Sequence, residues 1–325
     1  MIKKRFISML VLLAAVVTGA VAQTTYKVSV KEGTEDATNW TITPAEATTT
    51  GVAQGTEVTA TYNGTKKVKS VKAVKKAPAV TTLDNTTTAW TAGSYAVPAG
   101  GLTYSAAITV SGDVTLVLTD GETLTLNRGI SLAGGATLTI QGNGTMAVNG
   151  TNNSTASTVA GSGTIILTSG TLTAKGGNGE GFSGNSGSNQ TKSAGGVAIN
   201  GAVTVNGGTL TATGGNGGNC NGATMMNVNG GAGGAAISGD VTITGGAVAA
   251  TGGNGGSIGA SNSGMKVYGG AGGAAIGGNA TLTGGTLTAT QGDAGNQTGN
   301  VYGGSVGTGG KAVAGTVTNN GGTVN

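Results

Sequence analysis

From Ile108 onward, apolar and polar residues alternate in short runs that return at fixed offsets. ITVSGDVTLVLTDGETLTLNRG is followed by ISLAGGATLTIQGNGTMAVNG, displaced by 22 residues, so that Ile108 maps to Ile130, Val110 to Leu132, Leu116 to Leu138, Leu118 to Ile140, Leu124 to Met146 and Leu126 to Val148. Beyond Gly163 the period lengthens. Gly163, Gly201, Gly239, Gly278 and Gly315 mark equivalent starts, 37–39 residues apart. Ile165, Val203, Val241, Ala280 and Val317 form one apolar column, and Leu172, Leu210, Val248, Leu287 and Val324 another. Between them stand Thr columns, among them Thr204, Thr242, Thr281 and Thr318. Apolar and Thr positions alternate with a period of two, the signature of a strand with one face buried. Gly pairs such as Gly207-Gly208 and Gly245-Gly246 divide each unit into two strands.

The columns dictate how the strands are arranged. Antiparallel hairpins would place successive copies head to tail, so like residues would not meet. A coil that returns to the same point each turn sets Val on Val and Thr on Thr in parallel register, which is a β-solenoid. The later units read as the same coil plus a Gly-rich insertion such as GGNGG…GGAGGAA, which absorbs all the length variation and so reads as an outer loop. A lone unit buries too few apolar side chains to offset the ordering of a Gly-rich backbone, so the units are expected to fold only when stacked. The insertions are expected to be the least ordered parts.

The chain before the solenoid reads differently. Residues 1–22 carry Lys3, Lys4 and Arg5, then an apolar run from Phe6 to Val17, then Ala20-Val21-Ala22, the pattern of a cleaved secretory signal. Residues 23–77 hold four alternating runs, YKVSV, WTIT, TEVTATY and KKVKSVKAV, and predict a small antiparallel β-module. Residues 78–107 read as a connector and N-terminal cap, with Trp90 and Tyr95 placed to close the end of the coil, and residues 108–325 as the solenoid. No span of a membrane is expected once the signal is removed.

Charge narrows the partners. The chain has 16 Lys+Arg and 12 Asp+Glu; without Lys3, Lys4 and Arg5, 13 basic residues face 12 acidic ones, a net charge of +1. Lys66, Lys67, Lys69, Lys72, Lys75 and Lys76 cluster in one run, which reads as a solvated strand edge. No interleaving of basic and aromatic residues points to nucleic acid. With no His and one Cys, most metal, general-base and thiol chemistry is excluded, and no cofactor is expected.

SAAITVSGDVTLVLTDGETLTLNRGISLAGGATLTIQGNG, with units such as GGAGGAAISGDVTITGGAVAATGGNGG, resembles the bacterial secreted carbohydrate-binding β-helix proteins and their adhesin-like relatives, over about Trp90 to Asn325. The resemblance implies an all-β, single-stranded right-handed parallel β-helix displayed on a cell surface. It also implies acidic polysaccharide and calcium as ligands of some members. Here the stretch from Gly163 to Asn325 carries only Glu180, Asp240 and Asp293, a poor supply for an ion that takes 6–8 oxygen ligands. The N-terminal module is similar to small β-modules at the start of other bacterial surface proteins.

Catalysis is not expected. Glycoside hydrolysis needs two carboxylates across the scissile bond, and the repeats stack no column of acids. The glycan-contact candidates are Tyr268 and Tyr302, each before a Gly pair, with Lys266 beside the first, and the stacked Asn178, Asn216 and Asn254. Each has a purely structural alternative: rings packed under their own loops, and an amide ladder between rungs. The expected function is that of an exported, non-catalytic surface or secreted protein that binds polysaccharide or adheres. A structural stalk or end-to-end self-assembling subunit is the alternative, and a polysaccharide lyase or hydrolase ranks below it.

Overall fold

A computed structural model of the protein describes residues 31–32, 35–36, 40–43, 45, 59–62, 80–183, 190–223, 227–260, 266–299 and 303–325. The expected signal, the Lys66–Lys76 run, the YKVSV strand and Tyr302 lie outside the described residues. The chain divides into two units, Met1–Ala79 and Val80–Asn325. Within the first, Lys31–Glu32 pairs antiparallel with Glu35–Asp36, and Trp40–Thr43 with Thr59–Tyr62.

The second unit is built of long parallel sheets, with no α-helix among the described residues. Each coil visits three faces. The first face stacks nine strands, from Val80–Thr82 and Gly93–Ala96 through Asp113–Leu118 and Thr137–Gly142 to Val317–Asn319. The second stacks eight, from Leu102–Tyr104 to Thr323–Val324. The third begins with Ala89–Trp90, Ile108–Val110, Ile130–Leu132 and Val159–Gly161, then thins to single parallel bridges through Ile199, Ile237, Ile276 and Val313. This is a β-solenoid, and like residues do meet. Val203 lies against Val241 and Val241 against Ala280, and Leu210 against Val248 and Val248 against Leu287. The inward columns form one continuous core from Leu83 to Leu287.

The turn from first to second face shows why Gly is paired there. The second Gly of the first three pairs adopts a left-handed φ, +74° at Gly208 and Gly246 and +70° at Gly285, which a side chain would strain. Residues 80–107, read from the sequence as a connector and cap, carry strands that pair in parallel with the coil that follows. Trp90 and Tyr104 are fully buried there and Tyr95 nearly so; the Trp90 ring stacks on Tyr95 at 6.1 Å and meets Tyr104 edge-on at 6.3 Å.

Two expectations need correction. On the first face, Leu116 faces Ile140 and Val114 faces Leu138, a displacement of 24 and not 22. On the second and third faces the displacement is 22, with Leu124 opposite Met146 and Ile108 opposite Ile130. The later coil spends two more residues at the corner AGGA before its first-face strand, and the earlier one two more at TDGE after it. Because the slip is two residues, every side chain keeps its face. The second correction concerns the insertions, read from the sequence as outer loops, whose described residues carry strands. Their strands make two further four-stranded parallel sheets. One runs Phe182–Ser183, Cys220–Ala223, Ile258–Ala260 and Gln297–Gly299, and the other Gln190–Thr191, Val228–Asn229, Lys266–Tyr268 and Gly303–Ser305.

Candidate functional site

The insertions form an arm beside the coil, and its base consists of backbone alone. Outgoing limbs at 176–179, 214–218, 252–256 and 291–295 alternate with returning limbs at 193–196, 230–234, 269–273 and 307–310. Gly196 N–H donates to Gly177 O, Gly215 to Gly196, Gly234 to Gly215, Gly253 to Gly234, Gly273 to Gly253, Gly292 to Gly273 and Gly310 to Gly292, all at 2.7–2.9 Å. Each of the first three returning limbs therefore sits between two outgoing ones. Within one limb the bond directions repeat every three residues. Gly214 N–H donates along the stack to Thr251 O and Gly215 across to the other limb, and then Gly217 donates along the stack to Asn254 O and Gly218 across to Ser193 O. A period of three is that of the polyproline II conformation, which has no internal hydrogen bonds and so leaves its backbone groups free to bond to neighbouring chains. Two of every three positions face another backbone. A Cβ on Gly215 would run into the Gly177 carbonyl oxygen, and one on Gly234 into that of Gly196. The third position faces solvent and carries a side chain, as at Asn216.

Further along the arm, the two insertion sheets enclose a small core of their own. Cys220, Val228, Ile258 and Val267 are completely buried, with Phe182 packed against them. Cys220 is a free thiol in that core. Burial pushes its pKa up, opposed by the nearby Lys192 charge. The Lys192 ammonium lies 4.6 Å from the centre of the Phe182 ring. The Gly- and Asn-rich stretch around Cys220 suggests a loop when the sequence is read alone, and this core was missed. The signal for it was present: Phe182, Cys220, Ile258 and Gln297 recur 38, 38 and 39 residues apart, and the first three are apolar.

The candidate residues fall into two sets. Asn178, Asn216 and Asn254 occupy the solvent-facing third position of successive outgoing limbs and form a ladder that starts at Asn152 and ends at Asp293. Asn178 N–H donates to Asn152 Oδ1 at 3.1 Å, Asn216 to Asn178 at 3.0 Å, Asn254 to Asn216 at 2.9 Å and Asp293 to Asn254 at 2.9 Å. A neighbouring ladder, three residues on, joins Asn219, Ser257 and Asn296 at 2.7 and 3.1 Å. Lys266 and Tyr268 are the two outward residues of one strand, either side of buried Val267, and Tyr268 is 40% exposed. Above and below Tyr268 in register lie Asn229 and Ser305, with Thr191 one rung further. Asn229 Nδ2 donates to Thr191 Oγ1 at 3.2 Å. The asparagines belong to the limbs that lead into the Cys220 sheet, whereas Tyr268 and Lys266 belong to the sheet that leads out. Among the described residues, no hydrogen bond or ring contact joins the two sets.

Two acids of the repeats, Asp240 and Asp293, are part of the same scaffold. Asp240 Oδ1 accepts from Asn279 N at 2.7 Å, and Asn279 Oδ1 accepts from Thr316 N at 2.9 Å. Among the described residues no three His, Cys, Asp or Glu side chains gather to hold a metal ion, and no helix is long and apolar enough to cross a membrane. Comparison with protein-family models, with curated proteins and with solved structures finds no match.

Proposed function

We propose that the chain is an exported bacterial surface or secreted protein, a right-handed parallel β-helix whose arm binds carbohydrate without catalysis. The handedness follows the general preference of parallel strand crossovers. Export rests on the charged, apolar and small-residue pattern of residues 1–22. The observation that carries the binding reading is the strand Lys266–Tyr268. It offers a flat ring and an ammonium group side by side to solvent, bordered by Asn229, Thr191 and Ser305. A sugar ring stacks on such an aromatic face while its hydroxyls bond to amides and hydroxyls around it. Against catalysis, the Asp240 carboxylate is occupied as a rung-to-rung acceptor. A glycan array probed with the chain from Gln23 onward tests the reading. Binding to a defined subset, weakened by Tyr268→Ala, is expected; silence across the array contradicts it.

A stalk is the second reading. It is favoured by nine first-face strands in series, a rise of about 38 Å at ~4.8 Å per rung. Sedimentation over a wide concentration range separates the two, since end-to-end association of copies is expected only for the stalk.

A further inference from the structure

The asparagine ladder has a chemical direction. A backbone N–H can only donate, so the atom of each Asn that meets the next rung is its acceptor Oδ1. The ladder thus consumes one acceptor lone pair per rung. It leaves the Nδ2 groups of Asn178, Asn216 and Asn254, which have no protein acceptor among the described residues, as a column of outward donors. Their spacing is that of the rungs, ~4.8 Å. The groups beside the column continue this surface. The outward residues three positions before it are Lys175, Thr213, Thr251 and Thr290, and three positions after it Asn219, Ser257 and Asn296.

Charge selects the partner. Exposed Glu180 stands two residues from Asn178 at one end of the column, and Asp293 is the last member at the other. Lys175 is the one cation among the outward residues named beside the column. Two carboxylates at the ends and an uncharged middle disfavour an anionic polymer, whose charges would lose water without finding partners. An extended β-1,4-linked hexose chain advances by nearly one rung per sugar and presents hydroxyl and ring oxygens as acceptors at each step.

We propose that this face binds an uncharged, extended polysaccharide of β-1,4-linked hexoses lying along the solenoid axis, held by the Asn178, Asn216 and Asn254 amide donors. The inference rests on the carbohydrate-binding reading and adds to it a second surface, separate from the Tyr268 strand, with its chain direction and charge class. From Asn152 to Asp293 the ladder spans four rung spacings, about 19 Å at ~4.8 Å each, so affinity rises with chain length up to about five sugars.

The test is calorimetry with cello-oligosaccharides, together with affinity electrophoresis in hydroxyethyl cellulose and in polygalacturonate. Two double variants are compared with the unaltered chain. Asn216→Asp with Asn254→Asp keeps the Oδ1 acceptor but replaces each donor by a negative acceptor; Asp293 already occupies such a position. Asn216→Ser with Asn254→Ser keeps an acceptor as Ser257 does in the neighbouring ladder, and remains informative if the first pair fails to fold. Both pairs are expected to weaken binding of the uncharged polymer at least about tenfold without changing the thermal melt, a loss of the size produced by removing hydrogen bonds to a ligand. Preference for polygalacturonate overturns the inference but leaves carbohydrate binding standing, as does unchanged binding by the folded variants. Loss of the uncharged polymer through Tyr268→Ala, with both Asn pairs binding as before, would place that polymer on the Tyr268 strand and overturn the inference. No binding to any glycan overturns both readings.

Discussion

At the scale of single residues, the N-terminal end of the coil is held by a turn built on one carboxylate. Asp84 Oδ1 accepts from the hydroxyls and backbone N–H groups of Thr86 and Thr87, at 2.7–2.9 Å. These bonds, those from Thr86 foremost, lower its pKa from 3.8 to about 2. Because the folded value lies below the unfolded one, the stabilisation is present above about pH 4 and disappears as pH falls through about 2. Thermal melts of the unaltered chain are therefore expected to drop between pH 5 and pH 2 by more than those of Asp84→Asn, and parallel curves would contradict this. The backbone carbonyl of the same residue receives the Tyr104 hydroxyl, which ties the turn to the aromatic cluster of Trp90, Tyr95 and Tyr104. Cys220 makes the opposite case, a reactive side chain removed from use. Buried and raised in pKa, it is expected to resist a thiol reagent at neutral pH until the chain is unfolded. Rapid labelling of the native protein would show that the second core is not closed. Trp90 and Tyr95 could be picked out from their place before the first repeat, but not as strand residues of an earlier coil. Cys220 could not, because Gly and Asn on both sides of it suggest a loop when composition is read without register.

At the scale of elements, the two kinds of strand differ in how they are specified. The coil strands are written by alternation, and the columns of Val203 and Leu210 could be read directly because a period of two survives every rung. The corners were less legible. The first-face slip between Leu116 and Ile140 conserves parity, so an offset of 22 and one of 24 place the same residue types inside. The arm's limbs obey a different rule, a period of three with Gly at two positions, hidden in runs of only four or five residues. Gly-rich composition ordinarily signals a flexible segment; here it is what allows backbones to pack on one another. Gly215→Ala is expected to be destabilising by ~1–3 kcal/mol or more, the cost of overpacking where the neighbour is backbone and cannot rotate away. Asn216→Ala, one residue on and facing solvent, is expected to cost about 1 kcal/mol or less for one lost exposed hydrogen bond. Chemical denaturation of the two variants compares them directly, and equal costs would contradict the alternating-limb packing. The same rule explains why the site residues appear where they do. In the limbs 214–218 and 252–256 only the third position carries a side chain, so Asn216 and Asn254 line up, with Asn178 before them, without any one of them having to select its neighbours.

At the scale of the whole solenoid, repetition replaces size. No coil encloses a core alone, and each apolar side chain is covered by its counterparts one rung up and one rung down. Columns on one side and limbs on the other both depend on the coils lying in strict register, and so do the ladders that present amides and the strand that presents Tyr268. The direct test uses a pair of nitroxide labels on outward residues of a single first-face column, Thr139 and Thr318, which stand five rungs apart by way of Ile166, Thr204, Thr242 and Thr281. Electron–electron dipolar spectroscopy is expected to give one narrow distance distribution near 24 Å, five steps of ~4.8 Å, although 179 residues of chain separate the labels. A broad distribution, or a single distance far from that value, would contradict the stacking of coil upon coil.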